Sequence, residues 1–137
     1  MDDLALRNLV YRRFVELGRA PTMDELATTE EALGRLHELR MVVLEADRQE
    51  IRMAIPFSAV PTPYRVEARR RSWFANCAWD AYGILAALGV DGHISSSCPD
   101  CGEPIEIDVV DRRPEPADDV FHVLVPARSW WEDIVFT

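Results

Sequence analysis

Trp73-Phe74-Ala75-Asn76-Cys77-Ala78-Trp79-Asp80-Ala81-Tyr82 is the stretch on which the fold turns. Its apolar spacing predicts a helix that begins near Ser72, runs to Leu88 and stops at Gly89. The stripe would be Trp73, Phe74, Cys77, Ala81, Ile84, Leu85 and Leu88. On such a helix Cys77 and Asp80 share one face, about 5–6 Å apart at Cβ. A carboxylate among Trp, Phe and Ile needs a partner or a purpose, because burying it unpaired is costly. Cys77 and Asp80 are therefore the first candidates for chemistry, a thiol and an acid serving one substrate. The bland alternative makes Cys77 a core filler and Asp80 an exposed helix residue.

Upstream, Leu4, Leu6, Leu9, Val10, Tyr11, Phe14 and Leu17 repeat at helical spacing as far as Gly18. Thr22-Met23-Asp24-Glu25 fits a capping box, and Thr28-Thr29-Glu30-Glu31 fits a second one before Ala32, Leu33, Leu36 and Leu39. Met41–Leu44 and Ile51–Ile55 flank a polar turn at Asp47-Arg48-Gln49, which predicts a hairpin. Three helices and a hairpin make a winged-helix-like unit over residues 1–60. Its third helix carries Glu30, Glu31 and Glu38 against Arg35 and Arg40, a poor surface for phosphates.

Beyond it, residues 61–137 are expected to form a small, mostly antiparallel sheet packed on the central helix. The prolines at 56, 61 and 63 mark an extended linker or edge segment, and Tyr64–Ala68 alternates like a strand. Arg69-Arg70-Arg71 reads as a solvated turn. His93–Ser97 and Ile105–Val109 pair as a hairpin across Cys98-Pro99-Asp100-Cys101-Gly102. Asp111–Asp119 is expected as a loop, Phe121–Val125 as a strand, Ser129–Asp133 as a helical turn, and Ile134-Val135-Phe136 as the start of a further strand. The predicted class is α+β.

Composition narrows the chemistry. The net charge of −9 disfavours nucleic acid as a partner. All 15 basic residues are arginine, so Schiff-base and P-loop mechanisms lack their lysine. Three cysteines argue against a disulfide scaffold and leave thiols for metal or catalysis. The acidic start Met1-Asp2-Asp3-Leu4 is unlike a signal peptide, and no apolar run reaches the roughly 18–20 residues of a membrane span, so a cytoplasmic protein is expected. Cys98 and Cys101 could form half of a structural zinc site, with His93, His122 or Cys77 needed to complete it.

From Val66 to about Val110 the chain resembles the alkylmercury lyases, the bacterial organomercurial lyases. The resemblance rests on Cys77-Ala78-Trp79-Asp80, similar to the family's Cys-Ala-x-Asp, on Gly83 to Gly89, on Ile94–Cys98 and on Gly102-Glu103-Pro104-Ile105. Val123–Pro126 and Trp130–Phe136 extend it. It implies protonolysis of a carbon–mercury bond, with Cys77 as the mercury-binding thiolate and Asp80 as proton donor. It implies no required cofactor, mercury as substrate ion, and small organomercurials and small thiols as partners. Cys98 matches a cysteine that is structural in the family. The family's second catalytic cysteine, in its last strand, falls just past Thr137 and has no match here. The resemblance therefore implies either a truncated chain, a divergent member without full lyase activity, or Cys98 or Cys101 recruited as the second thiol. The other function class is a non-catalytic protein, either binding zinc or mercury at Cys98 and Cys101 or regulating through its winged helix.

Overall fold

Asp2 opens the first helix by accepting the Ala5 N–H at 2.7 Å. In the computed structural model, which describes residues 1–136, this helix, α1, spans Asp3–Leu17. It ends at Gly18, whose φ of 70° is the left-handed conformation that closes helices. Helix α2 (Met23–Leu26) carries the expected capping box, reciprocal between Thr22 and Glu25. In α3 (Glu30–Glu38) the cap is Thr29, which accepts from Ala32 N–H. The second box is thus reduced to a single cap.

Among the described residues eight strands then form one sheet. They are β1 (Val43–Leu44), β2 (Ile51–Ala54), β3 (Phe57–Ser58), β4 (Arg65–Ala68), β5 (Arg71–Ala75), β6 (Gly92–Ser97), β7 (Pro104–Val110) and β8 (Arg113–Glu115). Their order is β1-β2-β3-β5-β4-β6-β7-β8, and every neighbouring pair is antiparallel. Helix α4 (Ala78–Leu88) connects β5 to β6 and packs on the sheet through Ala81, Ile84 and Leu85. The class is α+β, as expected. Among the described residues no helix is long and apolar enough to cross a membrane.

Several expectations are corrected. Residues 71–75 are strand β5, not the start of the central helix. Trp73 and Ala75 point inward at alternate positions, and β3 and β4 pair with the strand on its two sides. The backbone groups that a helix would satisfy locally are satisfied across the sheet instead. Phe57-Ser58, expected in a linker, is an interior strand between β2 and β5. The run Arg69-Arg70 is the two-residue β4–β5 turn, with both φ values positive as that turn requires. Strand β8 interrupts the expected loop at 111–119. Phe121–Val125 forms no strand, and Ile134–Phe136 forms turns. Thr137, which would continue that expected strand, lies outside the described residues. The helical turn near Trp130 is present, as a 3₁₀ segment over Ala127–Glu132.

An aromatic cluster ties α1 to the sheet. Phe14 stacks on Phe57 at 5.5 Å between ring centroids, and Trp73 meets Phe57 edge-on at 6.3 Å. The indole N–H of Trp73 donates to the Phe14 carbonyl at 3.0 Å, and that oxygen also accepts from Gly18. Both its lone pairs are used, so the end of α1 is fixed to the middle of β5. The sheet also continues across residue 60, because β3 pairs with β5.

Candidate active site

Where β5 ends, the chain turns through Asn76 into α4, and Cys77 is the residue that caps the helix. Its Sγ accepts the Asp80 N–H at 3.5 Å, the geometry a Ser or Asp side chain commonly provides. Cys77 and Asp80 are therefore cap and third helical residue, rather than two residues on one helical face. The thiol also reaches the Asp80 carboxylate as a hydrogen-bond donor.

Asn76 completes the group. Its Nδ2 donates to the Asp80 Oδ2 and to the Phe57 carbonyl, each at 3.2 Å. Both partners are acceptors, which fixes the orientation of the amide. Its Oδ1 is buried and accepts no hydrogen bond among the described residues.

Burial pushes the Asp80 carboxyl above its ordinary range, while the hydrogen bonds from Asn76 and Cys77 pull it down. Burial also pushes the Cys77 thiol up, with the Asp80 charge adding to the effect and the N–H groups of Asp80 and Trp79 opposing it. The pair thus tends to keep a proton. A helix N-terminus alone would have the opposite influence on the thiol.

Cys77 opens into a cleft of about 550 Å³ whose walls include Tyr64, Trp79, Phe121, Leu124, Trp130 and Phe136. Phe121 bridges Trp79 and Tyr82 edge-on, at 6.0 and 5.3 Å. The segment Phe121–Val125, misread as a strand, is the far wall of this cleft. Trp130 anchors it by donating to the Val125 carbonyl at 2.7 Å. A wider depression of about 890 Å³ beside α3 is lined mainly by charged residues and holds none of the candidate residues, so the smaller cleft is the candidate site.

The structure brings Cys77 and Asp80 together; Cys77 lines the cleft, whereas Asp80, Cys98 and Cys101 are not among its lining residues. Val66 pairs with both Trp73 and Ile94, so β5 and β6 flank β4 in one register. Cys77 and Cys98 each lie four residues further along these strands. The two segments leave the same end of the sheet two strands apart, about 9–10 Å. Neither His93 nor His122 joins Cys98 and Cys101: among the described residues no group of three or more His, Cys, Asp and Glu is placed to hold a metal ion. His93 instead bonds to Asp108 and Glu106 on the neighbouring strand. Sequence reasoning gave Asn76 no role, although its position four before Asp80 was the available signal. It also missed the Phe121–Val125 wall, whose placement is wholly non-local.

A family model described as alkylmercury lyase, MerB, matches residues 57–137. Curated alkylmercury lyases from Bacillus cereus and Clostridium butyricum are each 31% identical over 97 residues, covering 67% of this chain and 44% of theirs. The crystal structure of the mercury-bound form of MerB2 superposes with a TM-score of 0.64 at 27% identity, covering 82% of this chain and 57% of that one. The chain thus spans about half the length of the relatives it matches.

Proposed function

The chain belongs to the alkylmercury lyase family, and from that premise we propose that it cleaves the carbon–mercury bond of a small organomercurial by protonolysis. The observation that carries this reading is the Cys77–Asp80 pair, with the thiol in the lining of an aromatic cleft, the carboxyl partly buried beside it, and both biased by burial toward holding a proton. A soft thiolate suits a soft heavy metal. When the Cys77 sulfur bonds to mercury, its proton passes to the Asp80 carboxylate and the displaced ligand leaves as an anion. Asp80 then delivers that proton to the carbon as the Hg–C bond breaks. The hydrocarbon departs, Asp80 is again a carboxylate, and mercury stays on Cys77. A small-molecule thiolate supplies the second sulfur, since no other cysteine lines the cleft among the described residues.

An acid held beside the carbon contributes about 10²–10⁴ in rate. Burial favours such an acid by keeping it protonated at higher pH. Asn76 opposes this and fixes the carboxylate's orientation. The aromatic walls suit an apolar organic group and exclude water from the polarised bond.

The test is incubation with an organomercurial and excess small thiol, following hydrocarbon release. Release is expected from the wild type, none from Cys77→Ala, and mercury capture without release from Asp80→Ala. Mercury bound by the wild type with no hydrocarbon formed would overturn the proposal.

A further inference from the structure

Cys98-Pro99-Asp100-Cys101-Gly102 forms the tip of the β6–β7 hairpin. Two hydrogen bonds of 2.8 Å close it, from the Gly102 N–H to the Cys98 carbonyl and from the Cys98 N–H to the Glu103 carbonyl. Gly102 takes a left-handed φ of 74°, which lets the chain return into β7. The Cys98 sulfur lies within reach of the Cys101 side chain and of the N–H groups of Cys101 and Asp100. Both thiols are free, and Cys101 is exposed.

Among the described residues no third ligand stands beside the two sulfurs, and such a pair does not suit zinc, which takes four ligands in structural sites. It suits a closed-shell soft cation that is content with two sulfurs in line. From this geometry we propose that Cys98 and Cys101 bind one soft thiophilic cation, of which Hg(II) is the type, at a site separate from the Cys77 cleft. Binding is a ligand exchange: a mercuric bis-thiolate complex gives its ion to the pair, each protein thiol gives up a proton, and each departing small thiolate takes one. No redox partner is needed. Cys101, exposed at the hairpin tip, leaves the site open to exchange with small thiols.

The proposal does not depend on cleavage at Cys77, and the test keeps the two apart. The full chain carrying Cys77→Ser, held reduced, is titrated with mercuric chloride against excess competing monothiol. One ion per chain is expected, marked by the ultraviolet sulfur-to-mercury charge-transfer absorption. Cys77→Ser/Cys98→Ser/Cys101→Ser should take up none. Restoring only one of the two cysteines should leave affinity lower by about 10²-fold or more, since chelation by a linked second ligand is lost. A Cys77→Ser chain that competes no better than its single-cysteine variants would overturn the proposal. So would tight one-to-one zinc uptake with a tetrahedral cobalt spectrum, which would mark a closed four-ligand site. Cys98→Ser/Cys101→Ser with Cys77 intact should match the wild type in hydrocarbon release; loss of release would place the pair inside the cleavage site and refute its separateness. If the wild type releases no hydrocarbon, the cleavage reading fails while the Cys77→Ser titration still decides this one.

Discussion

At Asp80, burial and hydrogen bonding act in opposite directions, and Asn76 is the residue through which the balance can be moved. Asn76→Ala removes a hydrogen bond that lowers the carboxyl, so the Asp80 pKa should rise further. In single-turnover release from a preformed Cys77–organomercury adduct, the rate should fall as pH rises through the Asp80 pKa. Asn76→Ala should shift that falling limb to higher pH, which a pH–rate profile checks. Stability carries the same sign. A carboxyl raised in the folded state is bound to its proton more tightly there, so stability is lost as pH rises from the ordinary carboxyl value through the raised one. Asp80→Asn should flatten that part of a urea-midpoint–pH curve. His93 offers an independent check, because Asp108 and Glu106 raise it. Its contribution is full below the unfolded histidine value and is lost as pH rises through the raised folded value. An NMR titration should find its midpoint above that of a model histidine, and Asp108→Asn should lower it.

Helix α4 separates the structural role of Cys77 from its chemistry. Serine is a stronger cap than cysteine, so Cys77→Ser should preserve the start of α4 and leave the melting temperature unchanged or slightly higher. Cys77→Ala deletes the cap and should cost about 0.5–2 kcal/mol in urea denaturation. Both should lose mercury capture in the cleft. A serine variant that unfolds as readily as the alanine variant would contradict the cap assignment. The helix also explains why the sequence reading failed where it did. Trp73, Phe74, Cys77 and Ala81 fit a helical stripe, yet Trp73 and Phe74 belong to a strand whose partners β3 and β4 precede it in the chain. Periodicity over so few residues cannot distinguish the two, and long-range pairing decides.

At the scale of the whole molecule, α4, β4 and β6 meet at Gly92. A Cβ there would lie 2.6 Å from the Glu67 carbonyl oxygen and 2.5 Å from Leu85 Cδ2. The backbone oxygen has little room to give way, so Gly92→Ala should destabilise by about 1–3 kcal/mol, the usual range for overpacking. Trp73, 3% exposed and bonded to the end of α1, joins the helical front to the sheet. Trp73→Ala should cost about 3–5 kcal/mol, and chemical denaturation should show the helices and the sheet lost in one transition, since one core holds both.

The sequence by itself determined the α+β class, the three front helices, the two hairpins around residues 47–49 and 98–102, and the candidate pair Cys77 and Asp80. These are local matters, set by apolar period, caps and turn residues within a few positions of one another. Only the tertiary structure decided that Cys77 caps the helix instead of riding on it, that Asn76 holds Asp80, that Phe121–Val125 walls the cleft, and that Cys98 and Cys101 stay outside it. Each of these depends on groups brought together by strand pairing and burial, and such contacts carry no periodic signal along the chain.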